Sequence, residues 1–109
     1  MKIFYNVTVI IDDSVLEEWK SWMIKKHIPD VMATGAFESY QFTEVITEGS
    51  EGGTTFAIQY LSPNMEDYDR YQMQDAPKLQ AEHQQKYNGK FGAFRTLMKV
   101  ISNGSKTIH

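Results

Sequence analysis

Cysteine is absent from the 109 residues of the chain, so disulfide bonds, thiolate nucleophiles and cysteine-ligated zinc sites are excluded. Clusters of positive charge are also absent. Lysine and arginine total 11 against 14 aspartates and glutamates, the formal net charge is -3, and the two signs are interspersed. Because nucleic-acid binding requires a clustered cationic face, we expect no nucleic-acid partner.

Long hydrophobic runs are missing as well. No stretch approaches the roughly 18 apolar residues that span a membrane, and the first residues enter a strand-like pattern without the features of a signal peptide. We therefore expect no membrane partner, no secretion and a cytoplasmic location. The three histidines form no His-x-x-x-His or Glu-x-x-His pair, so we expect no metal site and no cofactor.

The composition that remains is that of a globular domain. Hydrophobic residues make up 41% and aromatic residues 13% of the sequence, which is enough for a packed core, and the length is typical of one domain. We predict a single domain over residues 1–101. Residues 102–109 are predicted to be a short, frayed polar tail.

The beginning of the chain predicts a strand followed by a helix. Residues 2–11 alternate with period two, as strands do. Ser14 and Glu17 have the spacing of a capping box at the start of a helix. Apolar residues then follow at helical spacing. Because a proline disfavours helix in the residue before it, Pro29 predicts a break at Ile28 and a short helical turn after it.

The remainder predicts two strands, a broken helix and a final strand. Residues 36–47 and 54–61 are β-rich and flank a glycine-rich turn. The second helix starts at a capping pair, Asn64 and Asp67, and breaks near an Asp-Ala-Pro sequence. The last strand covers residues 91–101. The order β-α-β-β-α-β is the ferredoxin-like pattern, an α+β fold with a four-stranded antiparallel sheet and two helices on one face.

The strand alternation separates two sheet faces. The more apolar set predicts the face covered by the helices: Ile3, Tyr5, Val7, Val9, Tyr40, Phe42, Ile46, Phe56, Ile58, Tyr60, Phe94, Met98 and Val100. The opposite face is predicted to carry Phe4, Asn6, Thr8, Ile10, Ser39, Gln41, Thr43, Val45, Thr55, Ala57, Gln59, Leu61, Ala93, Arg95 and Leu97.

This predicted opposite face is too apolar for a monomer. Phe4, Ile10, Leu61 and Leu97 lie there beside amides and an arginine. Large exposed apolar patches mark interfaces or binding grooves. We therefore predict a homodimer in which two sheets pack through this mixed face and leave a polar-lined cavity.

Several segments resemble a small bacterial family of unknown function within the dimeric α/β-barrel superfamily: residues 5–9, the helix with Trp19 and Trp22, residues 27–35 and residues 91–97. The His-Ile-Pro-Asp-Val sequence is the most specific of them. The resemblance covers residues 1 to about 101 and implies the fold and a dimer. The superfamily includes cofactor-free monooxygenases, haem-degrading oxygenases, lactone isomerases and ligand-sensing modules, so it does not select an activity.

His27 is a candidate catalytic residue. An imidazole with a pKa near neutrality suits a general base, and Asp30 would orient the ring. The alternative is a histidine that hydrogen-bonds carbonyl groups at a helix C-terminus, with Asp30 as a charge at the next helix start.

Arg95 is the second catalytic candidate, because its guanidinium can hold a carboxylate or enolate with two hydrogen bonds. The alternative is an ion pair across the dimer interface. Asn6 and Gln59 are expected to bind ligand from the same face as Arg95. Trp22 is expected to cover a planar ligand or to pack in the apolar stripe of its helix, and Trp19 is expected in the core.

His83 is a further candidate for ligand binding. In the haem-degrading members of the superfamily, a second-helix histidine ligates iron and a first-strand asparagine faces the haem. His83 and Asn6 lie in comparable elements. The alternative is a packed helical histidine between Leu79 and Tyr87, and the sequence favours it.

The sequence favours small-molecule binding or cofactor-free catalysis in a sheet-lined cavity. The alternatives are a non-enzymatic ligand-sensing module, a purely structural dimer and, less favoured, a haem-binding oxygenase. Whether the protein is an enzyme stays open at this point.

Overall fold

The computed structural model describes residues 1–46 and 51–107. Four antiparallel strands form one sheet: β1 (Ile3–Asp12), β2 (Ser39–Glu44), β3 (Gly53–Ser62) and β4 (Phe91–Lys99), in the spatial order β2-β3-β1-β4. Helices α1 (Leu16–Trp22) and α2 (Ile28–Ala33) connect β1 to β2, and α3 (Met65–Gln74) and α4 (Ala76–Lys86) connect β3 to β4. The strand order and the antiparallel sheet are those of the predicted ferredoxin-like fold, but each helical connection consists of two helices.

The first helix does not begin with the predicted capping box. A 3₁₀ turn (Asp13–Val15) precedes α1, and the Asp12 carboxylate accepts a 2.8 Å hydrogen bond from the backbone N–H of Ser14. No side chain caps the start of α1. The prediction for Ser14 and Glu17 is wrong because the tight turn brings Asp12 to the N–H groups first.

A π-turn (Met23–His27) joins α1 to α2. The backbone N–H of Ile28 donates to the carbonyl of Met23, five residues back, and Ile28 has helical dihedral angles. The predicted break at Ile28 is therefore wrong. Pro29 lacks an N–H and its ring crowds the carbonyl four residues before it, and the wider turn is one way for the chain to accommodate it without leaving the helical path.

The second helical connection follows the sequence pattern closely. Asn64 is the N-cap of α3, and its side-chain oxygen accepts a 2.8 Å hydrogen bond from the N–H of Asp67. The helix breaks at Asp75, and α4 starts again at Ala76 with a proline in its first turn. The predicted cap and the predicted break are both confirmed.

The core lies between the sheet and the helices. Antiparallel pairing places Tyr5 opposite Tyr60 and Val9 opposite Phe56, so these side chains share one face. Trp19 of α1 is fully buried and its ring lies 5.0 Å from that of Phe56. Buried tyrosines of α3 contact the same face, since Tyr68 lies 5.3 Å from Tyr5. The prediction that Trp19 is a core residue is confirmed.

The face assignment of β4 is wrong. Val7, on the covered face, pairs with Arg95, and Thr8, on the other face, pairs with Phe94. Ala93, Arg95 and Leu97 therefore point to the helix side of the sheet, and Phe94 and Met98 to the other. Apolar residues occupy both faces of this edge strand, so its alternation alone does not identify the buried side.

We define the open face as the sheet surface away from the helices. Its members are Phe4, Asn6, Thr8, Ile10, Ser39, Gln41, Thr43, Thr55, Ala57, Gln59, Leu61, Phe94, Thr96 and Met98. Within it, 60% of Phe94 and 47% of Ile10 remain exposed. An apolar patch on the sheet is therefore present, although β4 contributes different residues to it.

The strand ends differ from the sequence-based ranges. β2 starts at Ser39, and the two residues that were expected to open it, Ala36 and Phe37, are buried outside the sheet. Ile46, predicted on the covered face, lies beyond β2 and is 98% exposed. Residue 47 and the first part of the predicted turn lie outside the described residues.

The chain after β4 has no regular secondary structure over residues 100–107. Val100 still donates a 3.0 Å backbone hydrogen bond to Lys2, but it is not in the strand. Within the described part of the chain, every helix is too short or too polar to cross a lipid bilayer.

Candidate functional site

A cavity of about 520 Å³ lies on the helix side of the sheet. Its floor is formed by β1, β3 and β4, and its walls by the π-turn, α2, α3 and α4. The cavity forms there because β4 is an edge strand and its residues, apart from the half-buried Phe91, are exposed. The volume falls in the range of small-molecule sites.

His27 lines this cavity from the π-turn. Its Nδ1 atom is buried and has no hydrogen-bond partner within the described structure. Trp22 stacks on the imidazole ring at 5.1 Å with an interplanar angle of 30°. Burial lowers the pKa of His27, against the charges of Glu82 and Asp30, which raise it. His27 is therefore a neutral imidazole at neutral pH.

Asp30 does not have the predicted role of orienting the imidazole of His27. Its carboxylate forms an ion pair with Lys26, one helical turn earlier. Of the hydrogen bonds described, none joins Asp30 to His27. The charge of Asp30 still reaches the imidazole, since it raises the pKa of His27.

His83 faces the same cavity from α4, and its ring lies 5.6 Å from that of His27. The indole N–H of Trp19 donates a 2.9 Å hydrogen bond to Nε2 of His83 in a buried environment. Burial, together with smaller effects of a protonated His27 and of Arg95, lowers the pKa of His83 to about 4. Both histidines are thus uncharged at neutral pH.

Arg95 brings a positive charge to the cavity from β4. Its Nε atom donates a 3.0 Å hydrogen bond to the hydroxyl oxygen of Tyr5. Among the described residues, no carboxylate lies within salt-bridge distance of Arg95. The bond to Tyr5 engages only Nε, so the terminal amino groups of the guanidinium are free to meet a ligand.

The remaining polar side chains of the cavity are tyrosines and glutamines. The tyrosines are Tyr5, Tyr60 and Tyr71, and burial raises the pKa of each. Gln80 and Gln84 contribute amides from α4, and no aspartate or glutamate among the described residues lines the cavity. The site thus presents one positive charge and several neutral donors and acceptors on apolar walls.

Sequence reasoning missed Tyr5, Tyr71 and Gln80 as site residues. The alternation of the first strand predicts Tyr5 only as a residue of the covered face, and neither Tyr71 nor Gln80 belongs to a motif. One signal was available, because a buried tyrosine hydroxyl needs a hydrogen-bond partner. A covered face with several tyrosines therefore implies a polar region within it.

The other candidates lie outside the cavity. Asn6 and Gln59 are on the open face, where they pair across β1 and β3, so Arg95 does not share their face as expected. The Asn6 amide donates to Thr8, while its side-chain oxygen is buried without a partner. Trp22 lies behind His27 and also contacts His83, at 5.8 Å.

The residues do not fit the haem arrangement of the haem-degrading oxygenases. Asn6 and His83 are on opposite sides of the sheet. The Nε2 atom of His83, the usual ligand atom, is engaged by Trp19. Across residues 1–46 and 51–107, no group of three or more metal-ligating side chains comes together.

The fold and the cavity define a ferredoxin-like α+β protein with a pocket between its sheet and its helices. Residues 2–101 match the family model described as a domain of unknown function, DUF4286. The chain belongs to the DUF4286 family. No protein with curated functional data matches the sequence.

Solved structures with the same fold share little sequence with the chain. A putative antibiotic biosynthesis monooxygenase from Bacillus cereus has a TM-score of 0.68 at 8% identity, covering 96% of this chain and 98% of that one. SnoaB, a cofactor-independent oxygenase from Streptomyces nogalater, has a TM-score of 0.66 at 9% identity, with 94% and 95% coverage. A dimeric ferredoxin-like protein from an uncultured marine organism has a TM-score of 0.66 at 13% identity, with 94% and 99% coverage. These similarities establish the fold.

Proposed function

We propose that the protein binds a small planar organic anion in the cavity, with Arg95 as its anchor and His27 as a proton acceptor. The observation that carries this proposal is the presence of both side chains in one cavity of about 520 Å³ that no carboxylate of the described part of the chain lines. A guanidinium without a carboxylate partner favours a carboxylate or enolate ligand. Apolar and aromatic walls favour a flat hydrocarbon body.

Tyr5 supports the role of Arg95. Its hydroxyl accepts from Nε at 3.0 Å, and its ring is held in the core by Phe37 and Tyr68. A long arginine side chain loses conformational freedom when it binds a ligand. The hydrogen bond to a fixed phenol reduces that loss, because the guanidinium is already directed toward the cavity.

His27 supports proton transfer in the same site. A neutral imidazole has one unprotonated ring nitrogen, and such a nitrogen accepts a proton. For a ketone with an acidic C–H bond, that proton moves to the imidazole of His27 and the electron pair of the C–H bond shifts to the carbonyl oxygen. The enolate that forms is stabilised by Arg95, and return of the proton to another carbon or to oxygen completes an isomerisation with no other reactant.

The non-enzymatic alternative uses the same cavity without turnover. Its ligand would still bind at Arg95, and His27 would only accept a hydrogen bond from it. The relatives in fold include proteins described as a monooxygenase and a cofactor-independent oxygenase, which is compatible with an enzyme. Binding and proton transfer therefore need separate tests.

The binding test compares 2-naphthoate with the neutral 2-naphthamide by isothermal titration calorimetry. We expect 2-naphthoate to bind at least tenfold more tightly, and Arg95→Met to remove most of that preference, since a charge-assisted bidentate pair contributes about 1.5–3 kcal/mol. Arg70→Met is the matched control, because Arg70 pairs with Asp67 on α3 and does not line the cavity. Equal affinities for both ligands, or an equal loss in the two variants, would contradict the anchor.

The proton-transfer test follows exchange of the acidic C–H hydrogens of 2-tetralone in D₂O by NMR. We expect the wild-type protein to accelerate exchange, His27→Gln to lose more than 90% of the acceleration, in line with the 10²–10⁴-fold typical of general-base catalysis, and Arg70→Met to keep it. Binding of 2-naphthoate without any acceleration would leave the non-enzymatic function in place and eliminate the catalytic one.

We further propose a homodimer formed through the open face. Support comes from the exposed apolar side chains Phe94, Ile10 and Met98 on that face. Further support comes from a relative in fold that is described as dimeric. Monomers rarely expose contiguous patches of this kind. Packing two open faces would bury these side chains and leave the cavity accessible on the helix side.

The other sequence-based expectations stay proposals. They are a single domain over residues 1–101, a cytoplasmic location in a bacterium, and the absence of nucleic-acid and membrane partners. The net charge of -3 and the anion-binding character of the cavity are compatible with small metabolite-like ligands.

A further inference from the structure

We infer that His83 is a neutral hydrogen-bond donor to the ligand, fixed in one tautomer by Trp19, and that the cavity therefore selects planar anions that also carry a carbonyl oxygen. This inference rests on the proposed binding site and adds the second recognition element of its ligand. His83 acts as a specificity-determining residue, and Trp19 acts through it as a positioning residue.

The contact between Trp19 and His83 determines the tautomer. An indole nitrogen only donates hydrogen bonds, and its N–H points at Nε2 of His83 over 2.9 Å. Nε2 must therefore offer its lone pair, and the single proton of the neutral ring lies on Nδ1. Because the pair is buried, a ring with the proton on Nε2 would leave the indole N–H unsatisfied, at a substantial free-energy penalty.

Aromatic packing fixes the direction of the ring. Phe91 meets it edge-on at 4.3 Å, and Trp22 and Tyr87 contact it at 5.8 and 5.5 Å. Within the described residues, Nδ1 has no hydrogen-bond partner, and the ring belongs to the cavity wall. The Nδ1–H group is therefore available to a bound molecule.

Electrostatics keep this donor uncharged. Burial is the main cause that lowers the pKa of His83, and the charge that His27 carries when protonated and the charge of Arg95 add to it. The cavity thus contains two different donors, the charged guanidinium of Arg95 and the neutral imidazole N–H of His83. A ligand that pairs with both donors has an anionic oxygen and a second, uncharged oxygen that accepts a hydrogen bond.

A ketone or quinone carbonyl is the simplest such acceptor. Such a carbonyl group lies in the plane of the aromatic body of the ligand. Because it is uncharged, it does not compete with the anionic group for the guanidinium of Arg95. A hydrocarbon ligand of the same shape would instead leave the Nδ1–H desolvated and unpaired when it fills the cavity. The site should discriminate between these two ligands even though both bind at Arg95.

The tautomer is measured by long-range ¹H–¹⁵N NMR of the imidazole. In the wild-type protein we expect Nδ1 of His83 to have the shift of a protonated nitrogen and Nε2 that of an unprotonated one. Trp19→Phe should mix the tautomers, whereas Trp22→Phe should not, because Trp22 contacts the ring without a described hydrogen bond to it. A protonated Nε2 in the wild-type protein would overturn the inference, whether or not Trp19→Phe folds.

Ligand selection is measured with two pairs of acids, 9-oxofluorene-2-carboxylate against fluorene-2-carboxylate and the corresponding 4-carboxylates. Each pair differs only in the ketone oxygen. In at least one pair we expect the ketone to bind five- to tenfold more tightly. His83→Leu should abolish the difference. His83→Gln should retain it, because a glutamine amide can accept from Trp19 and donate into the cavity.

The outcomes separate this inference from the proposed function. Tight binding of all four acids with no difference within either pair would overturn the role of His83 and leave the anion site standing. No binding of any acid would overturn the anion site and the ligand preference together. A ketone preference that survives His83→Leu would assign the second contact to another donor.

Discussion

At the scale of single residues, the burial of two histidines in one cavity makes the stability of the fold sensitive to protonation. Their rings are 5.6 Å apart, and burial lowers the pKa of both His27 and His83. Because protonation of either ring is opposed by the folded state, the stability of the protein depends on pH.

We predict that the free energy of unfolding falls as the pH drops from 6.5 to about 4, with His83 as a main contributor. The unfolded histidine has a pKa of 6.5 and the folded one about 4, so in this window the unfolded chain binds a proton that the folded chain does not. Stability from this source is complete above pH 6.5, and the loss amounts to about 2–3 kcal/mol.

Urea denaturation at several pH values checks this expectation. His83→Gln removes the titrating group, so the difference between wild type and variant should change with pH across this window and be constant above it. A difference that does not vary with pH would show that the pKa of His83 is the same in the folded and unfolded states.

Arg95 shows where residue-level reasoning from sequence reaches its limit. The sequence makes Arg95 a candidate for ligand binding but does not predict its face, because β4 carries apolar residues at both alternating positions. The pairing of Arg95 with Val7 depends on the register between β1 and β4, which no local pattern encodes. Asn6 and Gln59 share the face that the sequence predicts for Arg95, which is the open face, and they therefore lie away from the cavity.

At the scale of secondary-structure elements, the two helical connections start in different ways. In α3 the side chain of Asn64 accepts from the N–H of Asp67. At the first connection the side chain of Asp12, before the 3₁₀ turn, accepts from the N–H of Ser14. The hydroxyl of Ser14 therefore has no capping role.

We predict that Asn64→Ala lowers the free energy of unfolding by about 1 kcal/mol, the usual effect of losing an N-cap, and that Ser14→Ala changes it by less than about 0.5 kcal/mol. Chemical denaturation of both variants at pH 7 provides the comparison. If Ser14→Ala proved as destabilising as Asn64→Ala, the capping box expected from the sequence would be present in solution.

The π-turn shows why the sequence located His27 but not its setting. Proline signals predicted that the helix stops before Pro29, which would place His27 at a frayed end. The chain instead keeps a helical path by donating from Ile28 to Met23, and it points His27 inward. Sequence rules take into account that proline lacks an N–H group. The wider turn that accommodates Pro29 depends instead on the packing of α1 and α2, which these rules do not include.

At the scale of the whole molecule, the order of strands and helices was predictable because strand alternation, caps and turns agree with one another. The four-stranded sheet and the break between α3 and α4 follow from such local signals. The cavity does not, since it arises where α4 meets an edge strand. The position of such a site depends on how the helices pack on the sheet, which local sequence signals do not specify.

We predict that the homodimer depends on Phe94 and not on Leu97. Phe94→Asp places a charge on the open face and should shift the protein from dimer to monomer. Leu97→Asp introduces the same charge on the same strand, facing the helix side, and should leave the dimer intact. Sedimentation equilibrium over a range of concentrations gives the two masses, and dissociation by Leu97→Asp alone would restore the face assignment made from the sequence.

In the proposed function, an organic anion binds between the sheet and α4. The most direct measurement is the set of intermolecular nuclear Overhauser contacts between 2-naphthoate and methyl-labelled protein. We predict contacts to Val7, Ile58 and Leu79, which line the cavity. Contacts to Ile10, Thr8 and Ala57 of the open face instead, or none at saturating ligand, would contradict the account.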